Sequence, residues 1–270
     1  IILLINNNMQ TKLSVNKLSV NLNNNILLKN IDFSLKTGDV LAVLGPNGAG
    51  KSSLLKSIMS HYNYPIKSGK IVLNSKDITN LSTDKKAKLG LFYCSQNPVE
   101  LDGVQMLEFF KVLSKENSKN FYEFYKSLNS AMLEVKLKHE LLKNSVNVGF
   151  SGGEKKKNEI LQAKLLQPKI MLIDEIDSGL DLDAIKIVAD YINKNQKNWI
   201  TIIVSHHIDF LKNIKPNKSI VLVDGQIAAS NKKDIINFVE KNGYSSFFEK
   251  KLRPIRTLPI MCCDMKHGKK

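Results

Sequence analysis

The sequence predicts an α/β fold: a mostly parallel, doubly wound core sheet, a β-rich N-terminal part and an inserted run of helices. Three observations predict it. Residues 45–52 read G-x-x-x-x-G-K-S, with a short apolar run, Val40–Leu44, ahead of them and helical spacing, Ser53–Met59, behind. Strand, glycine loop and helix form the context in which this motif cradles phosphate. A second apolar run, beginning at Ile170 and ending in the paired carboxylates Asp174 and Glu175, follows roughly 120 residues later. From Ser151 onward, strand and helix patterns alternate, as a parallel sheet requires.

The elements follow in order. Leu13–Leu22 and Ile26–Leu35 alternate apolar and polar residues around an Asn-rich break, which reads as a β-hairpin. Thr37 to Asp39 turns the chain into the strand before the glycine loop. Ser68-Gly69-Lys70 reads as a turn, Ile71–Leu73 as a strand and Asp77–Leu81 as a short edge segment. Leu89–Cys94 is an apolar strand ending at Ser95 and Gln96. From Gln105 to Leu142 the spacing becomes helical, with Met106, Phe109, Phe110 and Leu113, then Phe121, Phe124, Tyr125, Leu128, Met132 and Leu133. These aromatic positions read as packed faces of amphipathic helices rather than a ligand box. A helix from Ser151 to about Leu166, strands at Lys169–Ile173, Trp199–Val204 and Ser219–Val223, and helices at Asp183–Asn193, His207–Asn213 and Lys233–Asn242 complete the alternation.

Composition narrows the function classes. The chain has 270 residues, 43% of them hydrophobic, and no apolar run near the ~18–20 residues that span a bilayer. Residues 1–8 precede Met9, a natural initiator, and read as an extension. Cys94, Cys262 and Cys263 make no disulfide framework, so a reducing compartment is expected. The net charge is +15, yet Arg253 and Arg256 are the sole arginines among 40 basic residues. Lysine, asparagine and isoleucine in excess together indicate AT-rich coding. Because arginine is the usual base and phosphate reader, no nucleic-acid binding is expected; an acidic protein partner accounts for the charge equally well.

Each motif implies a role. Gly45, Pro46, Asn47, Gly48, Ala49 and Gly50 let successive N–H groups face an anion, and the helix starting near Lys51 adds the positive end of its dipole. Lys51 is expected to reach the β- and γ-phosphates and Ser52 to ligate Mg²⁺, with Ser53 adjoining. Asp174, delivered by a buried strand, is placed to hold Mg²⁺, and Glu175 to polarise the attacking water. Ser151, Gly152, Gly153 and Glu154 form a helix start with unpaired N–H groups, a hydroxyl and little bulk.

Phe150-Ser-Gly-Gly-Glu154, about twenty residues before Asp174, resembles the L-S-G-G-Q signature of the ATP-binding cassette (ABC) superfamily. The resemblance assigns further positions. Gln96 matches the Q-loop glutamine, which contacts Mg²⁺ or water. Ser178 to Asp181 matches the D-loop at the dimer interface. His206 matches the switch histidine that contacts the γ-phosphate, whereas His207 carries no role. The order of motifs is complete over roughly residues 10–248. It implies an ABC-type ATPase using ATP and Mg²⁺, with a RecA-like mostly parallel core sheet, an N-terminal antiparallel β-subdomain and an inserted α-helical subdomain. Residues 9–96 and 151–248 would form the core and β-subdomain, 97–150 the helical subdomain and 249–270 a tail.

Three stretches resemble one family within the superfamily. Phe150 to Gln162 is similar to the F-S-G-G-E-K-K-R-N-E-I-L-Q of the SufC family, the ATPases of SUF iron–sulfur cluster assembly. Asp174 to Ala184 is similar to its D-E-x-D-S-G-L-D-I-D-A, where most transporter ATPases place Pro-Thr after Asp-Glu. Gln96 to Val104 resembles its Q-x-P-V-E-I-P-G-V. Ile214 to Pro216 and Gly243-Tyr244 also fit. The resemblance implies SufB- and SufD-like scaffold partners, no membrane insertion, an ATP-dependent head-to-tail homodimer, and a cytoplasmic location or a plastid stroma if an organelle encodes the chain. A transporter subunit is the alternative. Three departures stand out: Lys157 replaces the usual arginine, Ser205 the usual threonine, and no aromatic stands near Leu22 to stack adenine. Cys262 and Cys263, with His267 nearby, sit in the tail as a poor metal cage.

Overall fold

The computed structural model describes residues 10–23, 25–114, 121–177, 180, 182–230 and 235–249. Residues 1–9, the expected D-loop positions Ser178, Gly179 and Asp181, and residues 250–270 lie outside the described residues.

Strands β1 (Lys12–Leu22) and β2 (Asn25–Lys36) form the expected antiparallel hairpin, with Leu13 opposite Leu35. Buried positions change parity between Val15 and Leu18 because the strand bulges at Lys17, whose φ is 46°. After β3 (Val40–Leu44) and α1 (Lys51–Ile58), β4 (Ile66–Leu73) returns to pair with β1. Ser68-Gly69-Lys70 is therefore no turn. It is the partner of the β1 bulge, and Gly69 takes φ 93° with a Cβ position only 2.4 Å from the Lys17 carbonyl oxygen. A glycine inside a strand marks a close backbone approach as readily as a reversal. β5 (Lys76–Asp77) closes this four-stranded antiparallel sheet and is shorter than the expected edge segment.

Helix α2 (Thr83–Lys88) was not expected from its polar, lysine-rich sequence. It closes the open end of α1: Thr83 Oγ1 donates to the Met59 carbonyl at 2.9 Å, and Lys86 Nζ donates to the Ile58 carbonyl at 2.8 Å. Lys86 is fully buried, and burial lowers its ammonium to about 8. β6 (Leu91–Cys94) follows. The inserted stretch begins with β7 (Leu101–Gln105), so Gln105 ends a strand rather than opening a helix. Then come α3 (Met106–Ser114), α4 (Phe121–Glu134), a 3-10 turn at His139–Lys143 and β8 (Ser145–Val146), which pairs with β7.

The core resumes with α5 (Gly152–Leu166), β9 (Ile170–Asp174), α6 (Leu182–Asn195), β10 (Ile200–Val204), α7 (Ile208–Ile214) and β11 (Lys218–Val223). β12 (Gln226–Ser230), α8 (Ile235–Asn242) and α9 (Ser245–Glu249) follow, the first and last unexpected. The six-stranded sheet runs β12-β11-β3-β10-β9-β6, parallel except for β12.

Both faces of this sheet are buried. Val40, Ala42, Leu44, Met171, Ile173 and Ile203 join one core with the insert and α5 to α8. Leu41, Val43, Ile170, Leu172, Ile202 and Val204 join a second core with α1 and the antiparallel sheet. Period-two side-chain alternation divides each continuous apolar run between two cores. Leu54, Leu55 and Ile58 anchor α1 in the second core, each burial worth roughly 1.5–3 kcal/mol. No described helix is long and apolar enough to cross a membrane.

Candidate nucleotide site

The glycine loop leaves β3 and enters α1. Gly45 sits so close to β11 that a Cβ would meet the Leu222 carbonyl oxygen at 2.3 Å, with φ 150°. The loop can lie there because no side chain intervenes. Lys51 is buried, and its Nζ donates to the carbonyls of Gly45 at 2.9 Å and Pro46 at 3.0 Å. Burial lowers its ammonium below the ordinary value, while Glu175 and Asp174 pull the other way. Asn47, Gly48, Ala49, Gly50, Lys51, Ser52 and Ser53 line a cleft of about 360 Å³, together with Glu175, His206, Leu22 and Leu27.

β9 ends at Asp174, which is fully buried. Ser52 Oγ donates to its Oδ1 at 2.7 Å, and the Tyr93 hydroxyl donates to Oδ2 at 2.7 Å. Ser52 and Asp174 present facing hard-oxygen donors, the chemistry that suits Mg²⁺. Sequence reasoning passed over Tyr93 as part of an apolar strand. Its signal was a hydroxyl on the strand parallel to β9, opposite Leu172. Burial, then the Asp174 charge, raises its phenol far above the usual range.

Glu175 leaves the strand with φ 47°, and its N–H donates to the Val204 carbonyl at 3.0 Å. Its carboxylate is gripped from two sides. Gln96 Nε2 donates to Oε2 at 2.6 Å, and His206 Nε2 lies 2.9 Å from Oε1. The structure thus gathers Gln96, Glu175 and His206, which come from three separate stretches of sequence. His206 is exposed, and Glu175 is half-buried.

Ser151 caps α5 through a capping box: the Glu154 N–H donates to Ser151 Oγ at 3.3 Å, and the Ser151 N–H donates to Glu154 Oε2 at 2.9 Å. That N–H holds the Glu154 carboxyl below its usual range. The carboxylate of Glu154 is thus engaged in its own helix start. Ser151 and Gly152 are solvent-exposed, and none of Ser151 to Glu154 lines the cleft.

The next turns of α5 hold the Q-loop, a role not foreseen. Lys156 Nζ donates to the carbonyls of Ser95 at 2.5 Å and Gln96 at 2.6 Å. Glu159 Oε1 accepts from the Ser95 N–H at 2.8 Å. Asn158 Nδ2 donates to Asn147 Oδ1, whose own Nδ2 donates to the Val99 carbonyl, each at 2.8 Å. Lys156 and Glu159 are both buried, and desolvation moves both toward neutrality, Glu159 to about 7.

Comparison with known proteins shows the family. The ABC transporter family profile matches residues 28–178. A Streptococcus pyogenes serotype M3 protein named as a probable ABC transporter ATP-binding protein is 39% identical over 239 residues, covering 86% of this chain and 93% of its own length. A probable ATP-dependent transporter of Synechocystis is 37% identical over 255 residues, covering 91% and 99%. Among solved structures, an ATP-binding subunit of an ABC transporter superposes with a TM-score of 0.73 at 22% identity, covering 89% of this chain and 99% of that one. The chain belongs to the ABC transporter family of ATP-binding proteins.

Proposed function

We propose that this chain is a Mg²⁺-dependent ATPase of SufC type, driving conformational change in a SufB/SufD-like scaffold during iron–sulfur cluster assembly. The observation that carries the ATPase reading is that Glu175 and His206 line one cleft with Lys51 and Ser52, while Gln96 holds Glu175 from its other oxygen. Lys51 would exchange the Gly45 and Pro46 carbonyls for the β- and γ-phosphates. Ser52, Asp174 and Gln96 would hold Mg²⁺, which supplies charge neutralisation at the phosphates. Glu175 would accept a proton from the attacking water, with His206 at the γ-phosphate.

Ser151 to Glu154 lie outside the cleft with their helix start exposed, which favours delivery to the cleft of a second copy. The reading is a head-to-tail homodimer closed by ATP, in which Asp181 of the D-loop would face the interface. ATP drives closure because it makes contacts in the closed state that the open state lacks. The scaffold would meet the 97–150 insert, where Val99, Val104, Val112, Tyr122 and Leu133 are exposed.

The SUF assignment rests on the three sequence blocks at 96–104, 150–162 and 174–184. A second reading, the ATP-binding subunit of a membrane transporter, is favoured by the names of the relatives. Affinity isolation of the full chain from its native cell separates the two. Scaffold proteins of the SufB/SufD kind support the first reading, and a membrane permease supports the second. Within either, Glu175→Gln should retain ATP and slow hydrolysis by roughly a hundredfold or more; unaltered turnover would remove Glu175 from the role of base.

A further inference from the structure

Behind the Glu175–His206 pair lies a second, buried link between the same two strand ends. β9 and β10 run parallel with Asp174 opposite Val204, and both chains leave the sheet at that level. Glu175 and His206 meet toward the cleft. One step deeper, Ser205 Oγ donates to Asp177 Oδ2 at 2.6 Å. The same oxygen accepts from the His207 N–H at 2.9 Å. The Ser205 hydroxyl therefore fixes the backbone on both sides of His206 while Asp177 fixes the hydroxyl.

The chemistry of this link is expensive for mere packing. Asp177 and Ser205 are each 2% exposed, and Asp177 Oδ1 is buried with no side-chain hydrogen bond recorded among the described residues. A neutral acceptor in the same place would hold a serine at a lower desolvation cost. Burial raises the Asp177 carboxyl above its ordinary value, with Ser205 and His207 opposing and Glu175 adding to the rise.

We propose that Asp177 is a positioning residue for the switch histidine: acting through the Ser205 hydroxyl, it holds residues 205–207 so that His206 faces Glu175. Its effect on turnover rests on the ATPase reading above. Its effect on His206 does not.

The test compares Asp177→Ala and Ser205→Ala in the wild-type chain and in a His206→Ala background, each checked for folding by thermal unfolding. Each should lower kcat roughly tenfold, leave KM for ATP within about twofold, and add nothing once His206 is absent, as expected for residues acting through one group. Ser205→Thr, which keeps the hydroxyl, should recover most of the loss. An equal loss in the His206→Ala background, or unchanged kcat, overturns the proposal. Should Asp177→Ala fail to fold, Ser205→Ala carries the comparison alone. A second readout needs no hydrolysis. In nucleotide-free protein, Ser205→Ala should shift the imidazole NMR signals of His206 but not those of His61 and His139. Unmoved His206 signals refute the positioning role whatever the activity. Moved signals in a chain that never hydrolyses ATP refute the ATPase reading and leave the positioning role standing.

Discussion

Ser52 Oγ donates directly to Asp174 Oδ1 across 2.7 Å, joining the start of the first core helix to the end of β9 over 122 positions of sequence. The Tyr93 hydroxyl occupies the other carboxylate oxygen. Asp174 is thereby fully paired while buried, which offsets the cost of keeping a carboxylate out of water.

Tyr93→Phe tests that arrangement. The change leaves Asp174 Oδ2 without its donor at a buried site, a loss of roughly 1–3 kcal/mol. Chemical denaturation should register that loss, and the Mg²⁺ concentration giving half-maximal hydrolysis should rise several-fold. If neither moves, the tyrosine is not supporting Asp174.

Lys51 tethers its own loop, and under the proposed function it would exchange that tether for phosphate. Lys51→Ala should weaken ATP binding at least tenfold by calorimetry, since a buried cation facing phosphate is lost. Because the tether to Gly45 and Pro46 goes too, amide exchange across 45–50 should quicken in the nucleotide-free protein. ATP affinity unchanged by the substitution would contradict the phosphate role.

Gly69 is held by the backbone of the neighbouring strand, with would-be Cβ contacts of 2.4 and 2.6 Å to the Lys17 and Asn16 carbonyl oxygens. Gly69→Ala must displace β1 as well as adopt φ near 93°, so a loss of roughly 2–4 kcal/mol is expected. Thermal unfolding measures it. A loss below about 1 kcal/mol would mean that the bulge shifts freely.

Glu159 gives a pH dependence with a definite sign. Burial raises its carboxyl from the ordinary 4.5 to about 7, against the Ser95 N–H and Lys156. The folded state therefore holds this proton more tightly than the unfolded chain. Its stabilising contribution is complete below pH 4.5, declines as pH rises toward 7, and is absent above that. Glu159→Gln keeps an acceptor for Ser95 and removes the titration. The stability of the variant relative to wild type should rise across that interval by roughly 3 kcal/mol. Parallel pH profiles would show that Glu159 does not titrate there.

Much of this was legible in the sequence, for physical reasons that differ by element. The β3 loop and α1 announced themselves because glycines, a lysine and a serine must fall at fixed offsets to meet phosphate. β9 was visible because four apolar residues precede two carboxylates. Other features depended on tertiary partners. Gly69 looks like a turn in isolation and becomes a bulge only opposite Lys17. α2 has no apolar face to betray it, because its Thr83 and Lys86 serve the end of another helix. β12 is an edge strand of weak pattern. Tyr93 and the Lys156–Glu159 grip on Ser95 and Gln96 act across elements far apart in the chain, where spacing carries no information. The Ser151–Glu154 capping box was half legible, since a Ser three residues before a Glu opens a helix, but its reciprocal bonds show only in the folded chain.

The double-sided sheet gives adjacent residues different allegiances. Val43 answers to the glycine-loop helix and the antiparallel strands, while Leu44, its chain neighbour, answers to the helices beyond the opposite face. The sheet works as a partition between two rooms. Where its neighbouring strands β9 and β10 end, Glu175 and His206 stand in the doorway. Under the proposed function, a shift on either side, whether from the nucleotide or from a scaffold on the insert, would arrive at the same threshold.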